Sequence, residues 1–188
     1  MRKRIVILAS GQGSLAQAII DASELEIQIV AVVSDRADAQ VLDRAKKASI
    51  NTAIVELTDD RHSWNQRLFD QVDLYKPDLV VSAGFMRILS PEFVNHFPTI
   101  NSHPALLPDF PGAHAVRDAL AAGVSVTGTT VHWVDAGVDT GPIITQMEVP
   151  VLPGDTEETL HERIKKVERG LIVATIALII PTLETNTR

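Results

Sequence analysis

The amino-acid sequence predicts an α/β fold built around a buried parallel sheet. Short runs rich in valine and isoleucine alternate with segments that have the length and apolar spacing of helices, which is the pattern of βαβ units. The chain has 188 residues, of which 45% are hydrophobic, and this is enough for one buried core but too little for two. We therefore expect a single domain that spans residues 1–188.

The first half of the chain carries the regular alternation. Strands are predicted at residues 5–9, 27–33, 52–55 and 79–83, and helices at residues 14–22, 37–48 and 61–75. Asp59 and Asp60 precede the third helix and suit its N-terminus. Beyond residue 83, five prolines between Pro91 and Pro111 exclude one continuous element. Two further strands, at residues 127–134 and 143–149, are followed by a helix whose start is marked by Asp155 and Glu158 in the manner of a capping box.

Composition and charge exclude several classes of protein. The net charge of −7 and the absence of a basic cluster argue against a nucleic-acid partner. The chain has no cysteine, and its histidines lack the helical spacing of zinc hydrolases, so we expect no metal site. The apolar residues 5–9 are too few for a signal peptide and residues 171–180 too few to span a bilayer. We therefore expect a cytoplasmic protein without a membrane partner.

A glycine-rich turn, residues 10–14 (Ser-Gly-Gln-Gly-Ser), separates the first predicted strand from the first helix. Backbone N–H groups and the helix dipole make such a turn an anion site, and phosphate is the expected ligand. Gly11, Gly13 and Ala16 also satisfy the looser dinucleotide pattern, with Asp35 where an acidic ribose ligand would stand. On this segment alone, a nicotinamide enzyme and a plain tight turn both stay open.

Asn101 and His103 follow a short apolar run, residues 99–100, at the expected carboxyl edge of a strand. The two-residue period of a strand would place both side chains on one face. A neutral imidazole can take a proton from an attacking amine, and an asparagine amide can donate to a growing oxyanion. Asp139, in the loop of residues 135–142, is the candidate that orients the histidine. The set suits acyl or formyl transfer, and its structural alternatives are a turn histidine and an ordinary Asx turn.

Four segments together resemble the phosphoribosylglycinamide formyltransferases. They are residues 10–14, residues 84–90 (Gly-Phe-Met-Arg-Ile-Leu-Ser), residues 101–108 (Asn-Ser-His-Pro-Ala-Leu-Leu-Pro) and residues 139–142 (Asp-Thr-Gly-Pro). The resemblance runs from about Ile5 to Glu168. It implies a Rossmann-like, mostly parallel twisted sheet with helices on both faces. It also implies transfer of a formyl group from 10-formyltetrahydrofolate to the glycine amine of phosphoribosylglycinamide, a step of purine synthesis.

The resemblance further implies roles for individual residues. The phosphoribosyl substrate would be held by Gly11, Gln12, Gly13, Ser14, Leu15 and Glu168. The folate would be held by Arg61, Met86, Arg87, Ile88, Leu89, Asn101, Asp135, Val138 and Asp139. Asn101, His103 and Asp139 would form the catalytic trio. Residues 1–100 would make up the phosphate-binding half, and residues 101–188 the folate-binding and catalytic half.

Two residues depart from the family pattern. Leu15 stands where many members carry Asn, which removes one polar contact near the phosphate. Ser102 replaces a more usual apolar residue, and strand alternation should turn it away from the site. The roles of His114 and of His132, on the strand that leads to the Asp139 loop, stay open.

Other proteins with the same trio are alternatives, namely formyltetrahydrofolate hydrolase and methionyl-tRNA formyltransferase. We expect the hydrolase to carry an added N-terminal domain, and the tRNA enzyme an added C-terminal barrel and a basic surface. The short, acidic chain therefore favours phosphoribosylglycinamide as the acceptor. A module that only binds a phosphorylated ribose is the non-enzyme alternative. The oligomeric state stays open, with a homodimer as one option.

Overall fold

Strands and helices alternate through the first hundred residues in the computed structural model, which describes residues 2–183. The strands are β1 (Lys3–Leu8), β2 (Ile27–Ser34), β3 (Thr52–Ile54), β4 (Leu79–Ser82), β5 (Thr99–His103), β6 (Val126–Trp133) and β7 (Ile143–Pro150). The helices are α1 (Ser14–Asp21), α2 (Gln40–Lys47), α3 (Arg61–Asp73), α4 (Pro91–His96), α5 (Ala115–Ala121) and α6 (Glu157–Ile179). A 3₁₀ turn, Ile180–Thr182, follows the last helix.

These strands form one sheet in the order β3-β2-β1-β4-β5-β6-β7. The neighbours from β3 to β5 pair in parallel, and β6 pairs antiparallel with both β5 and β7. Both faces of β1 are buried, because Ile5 and Ile7 pack in one core cluster with residues of α1, α2 and α6, whereas Val6 and Leu8 pack in another with α3 and α4. The predicted α/β fold with a mostly parallel sheet and helices on both faces is confirmed.

The proline-rich segment contains one helix that the sequence analysis did not predict, α4, and a second unpredicted helix, α5, follows the segment. In α4, Ser90 caps the N-terminus by accepting a hydrogen bond of 3.2 Å from the Phe93 N–H, and Pro91 occupies the first helical position. Proline is favoured there because that N–H would have no intrahelical partner. The strand predicted at residues 99–100 is also longer than expected, since β5 continues to His103. Asn101 and His103 are therefore strand residues.

The first turns of α3 and α6 test the predicted N-caps, and the prediction is correct for α3 but not for α6. Asp60 caps α3, as expected, and accepts a 3.1 Å hydrogen bond from the Ser63 N–H. For α6 the cap is Thr156 rather than Asp155, and Thr156 and Thr159 exchange side-chain-to-backbone hydrogen bonds. Asp155 instead accepts hydrogen bonds from Arg163 and the Leu152 N–H, and these hold the pKa of its carboxyl well below the usual range.

The sheet brings the recognised segments to one edge. The glycine turn follows β1, residues 84–90 follow β4, and β5 ends at His103. Because carboxyl ends of parallel strands lie at the same edge, these segments are neighbours. No helix among residues 2–183 is both long enough and apolar enough to cross a bilayer.

Within the glycine turn, Gly13 and Gly11 are used differently. Gly13 precedes α1 with a φ of 74°, and a Cβ there would lie 2.4 Å from Cγ2 of Val41 in α2. A Cβ on the exposed Gly11 would meet nothing within 4 Å. The turn is held against α2 by hydrogen bonds from the Val41 N–H to the Gly11 carbonyl (3.1 Å) and from Arg44 Nε to the Gln12 carbonyl (2.7 Å). Gly13 is therefore required by packing, whatever the turn binds.

We expect Gly13→Ala to lower the free energy of unfolding by about 2 kcal/mol or more, because left-handed strain and the clash with Val41 act together. Gly11→Ala should change it by less than about 0.5 kcal/mol, since the added methyl group meets open space. Urea unfolding of both variants measures the difference. Equal stabilities would contradict the packing role of Gly13.

Candidate active site

The carboxyl end of β5 and the loop between β6 and β7 place a histidine against an aspartate. The buried His103 lies with Nδ1 3.3 Å from Oδ2 of Asp139. Its other ring nitrogen, Nε2, is 2.8 Å from the carbonyl oxygen of Phe110. Both nitrogens thus face acceptors, and a neutral imidazole can donate only one hydrogen bond. A neutral ring donates to only one of the two acceptors, the Phe110 carbonyl or the Asp139 carboxylate.

Asp139 adopts a conformation that few residues other than glycine take. Its φ is 54°, in the left-handed region, which aspartate tolerates better than most residues. The loop around it is tight, because a Cβ on Gly141 would lie 1.8 Å from the Trp133 carbonyl oxygen. The Gly112 N–H donates a 2.8 Å hydrogen bond to Asp139 Oδ2. Strained residues that their surroundings hold in place are concentrated at functional sites.

His132 of β6 is a fourth polar residue at this point. Its Nε2 lies 3.3 Å from Nδ2 of Asn101 and 3.5 Å from Oδ1 of Asp139, while its Nδ1 lies 2.9 Å from the Trp133 carbonyl oxygen. The sequence analysis left its role open. The position of His132 on the strand before the Asp139 loop was the available signal. What brings it to the site is the antiparallel register of β5 and β6, in which Asn101 and His132 are opposite each other.

The charge of Asp139 is set by opposing effects. Burial disfavours the ionised carboxylate, but the hydrogen bond with His132, the Gly112 N–H and the charges of the two histidines outweigh it. The pKa of Asp139 is therefore lower than its ordinary value. At neutral pH the group is a carboxylate that can orient His103.

The loop of residues 84–90, which we call the folate loop after the role that the sequence analysis expects for it, is fastened to the glycine turn. The Met86 N–H donates a 2.9 Å hydrogen bond to Ser10 Oγ, and the Ser10 N–H donates one of 3.1 Å to the Gly84 carbonyl. The side chains of Met86 and Ile88 are 72% and 60% exposed, and Val138 of the Asp139 loop is exposed as well. Exposed apolar groups beside convergent polar groups are the usual lining of a small-molecule site.

Three further residues that the sequence analysis expects to bind the folate contact other residues of the protein. They are Arg61, Asp135 and Leu89. Arg61 donates a hydrogen bond to the Ile88 carbonyl, and its guanidinium lies over the Trp64 ring. Asp135 accepts hydrogen bonds from the Gly137 N–H and the Thr140 hydroxyl, so its carboxylate serves the loop itself. Leu89 is buried.

Comparison with known proteins decides the family. The sequence matches the formyl transferase family over residues 3–176. The chain belongs to this family. The phosphoribosylglycinamide formyltransferase of Mycobacterium tuberculosis is 53% identical over 180 residues, which cover 93% of this chain and 83% of that relative. The enzyme of the same name from Escherichia coli is 45% identical over 174 residues, which cover 89% of this chain and 82% of the relative.

A solved structure gives the same result. Glycinamide ribonucleotide transformylase 1 from Symbiobacterium toebii superposes with a TM-score of 0.93 at 40% identity, covering 98% of this chain and 92% of that chain. The resemblance carried by the four sequence segments is thus confirmed. Membership implies a formyl folate as donor and small molecules as substrates.

In this formyl transferase, Glu168 is not open to the site. It is 8% exposed, and its Oε1 accepts a 2.9 Å hydrogen bond from Ser102 Oγ. Burial raises the pKa of Glu168 against the opposing effect of Ser102. Contact with a substrate would require greater exposure of this carboxyl group.

The glycine turn offers mainly backbone groups to a ligand. Leu15 packs against the core, so it supplies no polar contact. Arg44, which holds the Gln12 carbonyl, was not anticipated, because its contact joins two segments that are distant in sequence. Within residues 2–183, no three histidine, aspartate or glutamate side chains are grouped to hold a metal ion.

We expect Asp139→Asn to destabilise the protein at pH 7 by about 1–2 kcal/mol, and by less as the pH falls. A carboxyl whose folded pKa is depressed contributes stability above its unfolded pKa, near 3.8, and loses it as the pH falls through the folded pKa. Asparagine also tolerates the left-handed conformation, so the difference reports the charge. Urea unfolding of both proteins at pH 7 and pH 3 measures it, and an unchanged difference would refute the charge contribution.

Proposed function

We propose that this chain transfers the formyl group of 10-formyltetrahydrofolate to the glycine amine of phosphoribosylglycinamide. The observation that carries the proposal is the meeting of His103, Asp139 and Asn101 at one sheet edge, in a member of the formyl transferase family. The identity of the substrates is supported by relatives named for this reaction, of which the chain covers more than four fifths.

The phosphate of the substrate would bind at the glycine turn. No side chain caps the start of α1 and its first turn contains no acidic residue, which leaves its backbone N–H groups for an anion. Gly11, Gln12 and Ser14 would surround the phosphate, and Leu15 leaves the polar contacts to the backbone. Glu168 would contact the substrate once its carboxyl group is more exposed.

The folate would lie between the folate loop and the Asp139 loop. Met86, Ile88 and Val138 would contact its apolar faces, because their side chains are exposed there. Arg61 would approach the folate at Ile88, whose carbonyl it contacts. Since the folate loop belongs to residues 1–100, the folate site would lie between the two halves expected from the sequence.

The chemistry would run as direct acyl transfer. The amine attacks the formyl carbon, a C–N bond forms, and the carbonyl oxygen gathers negative charge that the Asn101 amide stabilises. His103 takes the proton of the amine, and the proton then passes to the folate nitrogen as its bond to the formyl carbon breaks. Nδ1 faces Asp139, so Nε2 is the nitrogen for this transfer. The substrate would replace the Phe110 carbonyl at Nε2.

The first test is the dependence on both substrates. We expect the purified protein to form formylated product only when 10-formyltetrahydrofolate and phosphoribosylglycinamide are both present, because the glycine turn and the folate loop bind different ligands. Product is measured by mass spectrometry and formate by a coupled assay. Formate release from the folate alone at a comparable rate would indicate the hydrolase, and binding without turnover would indicate a ligand-binding module.

Asn101→Ala should lower kcat by about a hundredfold or more, as removal of one oxyanion donor does in other enzymes. The KM for each substrate should change by less than about threefold, because the lost contact forms mainly in the transition state. Asn95→Ala is the matched control, since Asn95 is exposed on α4. Steady-state kinetics of the wild type and the two variants measure kcat and the KM for each substrate. A near-normal kcat in the Asn101 variant would remove Asn101 from the mechanism.

A further inference from the structure

We propose that Asp35 is a positioning residue for folate binding. Through its ion pair with Arg87 it fixes the folate loop, and it thereby sets the affinity for the folate but not for the phosphoribosyl substrate. The proposal rests on the proposed function, since it assigns the folate to this loop.

The ion pair joins two strand ends. Asp35 directly follows β2, its side chain is 0% exposed, and its Oδ2 lies 2.6 Å from Nε of Arg87. Among residues 2–183, the other carboxylate oxygen, Oδ1, has no hydrogen-bond partner. A buried carboxylate needs a compensating partner, and here that partner is the Arg87 guanidinium.

The middle of the folate loop depends on such anchors, because the flanking Phe85 and Leu89 are buried in the core whereas Met86 and Ile88 are not. Residues 83–90 contain no helix or strand, and the side chains of Met86 and Ile88 point largely into solvent. A cavity of about 520 Å³, lined in part by Asp35, Glu56 and Arg87, opens beside the pair, so Arg87 is not enclosed by neighbours.

Three successive residues of the loop are each held from a different element. The Met86 N–H is held by Ser10 after β1, the Arg87 side chain by Asp35 after β2, and the Ile88 carbonyl by Arg61 of α3. Of these three anchors, the one at Arg87 is an ion pair. The Arg61 contact also has a charged donor, but at Arg87 both partners are charged, so we assign the ion pair a large share of the order of the loop.

The ion pair with Arg87 changes the interpretation of Asp35 in the dinucleotide pattern. In the dinucleotide pattern an acid at this position binds ribose hydroxyls. Here its Oδ2 is occupied by Arg87. The position therefore supports the loop, and the nicotinamide interpretation loses its ribose ligand.

The test compares Asp35→Asn with Asp38→Asn, which removes the same charge from an exposed neighbour whose ion pair is with Arg36 rather than with Arg87. For Asp35→Asn we expect the KM for the formyl folate and the Kd for tetrahydrofolate to rise about tenfold, the effect of one charge-assisted hydrogen bond. The KM for phosphoribosylglycinamide should change by less than about twofold, and hydrogen exchange of residues 84–90 should become faster. Asp38→Asn should match the wild type in all four measurements.

A double-mutant cycle tests whether Asp35 acts through Arg87. We expect Asp35→Asn combined with Arg87→Gln to weaken tetrahydrofolate binding no more than the more damaging single variant, because both changes break one contact. Multiplied losses would overturn the proposal. So would equal rises in the two KM values, or unchanged exchange of residues 84–90 in Asp35→Asn. Exchange needs neither substrate, so the anchor is tested even if the wild type forms no formylated product.

Discussion

The ionised carboxylate of Asp139 is the group on which the candidate site depends. It receives the Gly112 N–H and faces both His103 and His132, so one side chain joins β5, β6 and the loop before α5. A partly buried carboxylate needs donors that replace its lost hydration, and here the donors outweigh the effect of burial on the Asp139 pKa. The left-handed backbone of Asp139 is what aims the carboxylate at them.

Two carboxylates at the same sheet edge, the partly buried Asp139 and the fully buried Asp35, thus hold two loops in different ways. Asp139 lies in its loop and gathers several donors, whereas Asp35 lies at a strand end and has one strong partner, Arg87, in the loop opposite. The first arrangement resists the loss of a single contact, but the second does not. Because Asp35 has one strong partner, its replacement should change the order of the folate loop more directly than the loss of a single donor changes the Asp139 loop.

The sequence predicted the parts that depend on local pattern. The strands and helices of the βαβ units and the cap at Asp60 follow from hydrophobic period and helix-end chemistry. Helix α4 was missed because proline was taken as a breaker, although Pro91 stands where it favours a helix. Alternation also cannot give strand direction, so the antiparallel pairing of β6 was not predicted. The role of His132 stayed open and the Asp35–Arg87 pair was not predicted for a related reason, since register and long-range contacts determine both.

The contacts of His103 show how its Nε2 could become free to act as a base while the catalytic trio stays together. Phe110, which occupies Nε2, and Gly112, which donates to Asp139, belong to the same short segment, and both have positive φ values. A shift of this segment to admit the substrate would release Nε2 and would also cost Asp139 one donor. The contacts of Asp139 with His103 and His132 do not involve that segment. Asp139 would therefore still orient His103 while Nε2 turns to the amine, so under the proposed mechanism one loop would move for proton transfer while the strands keep their positions.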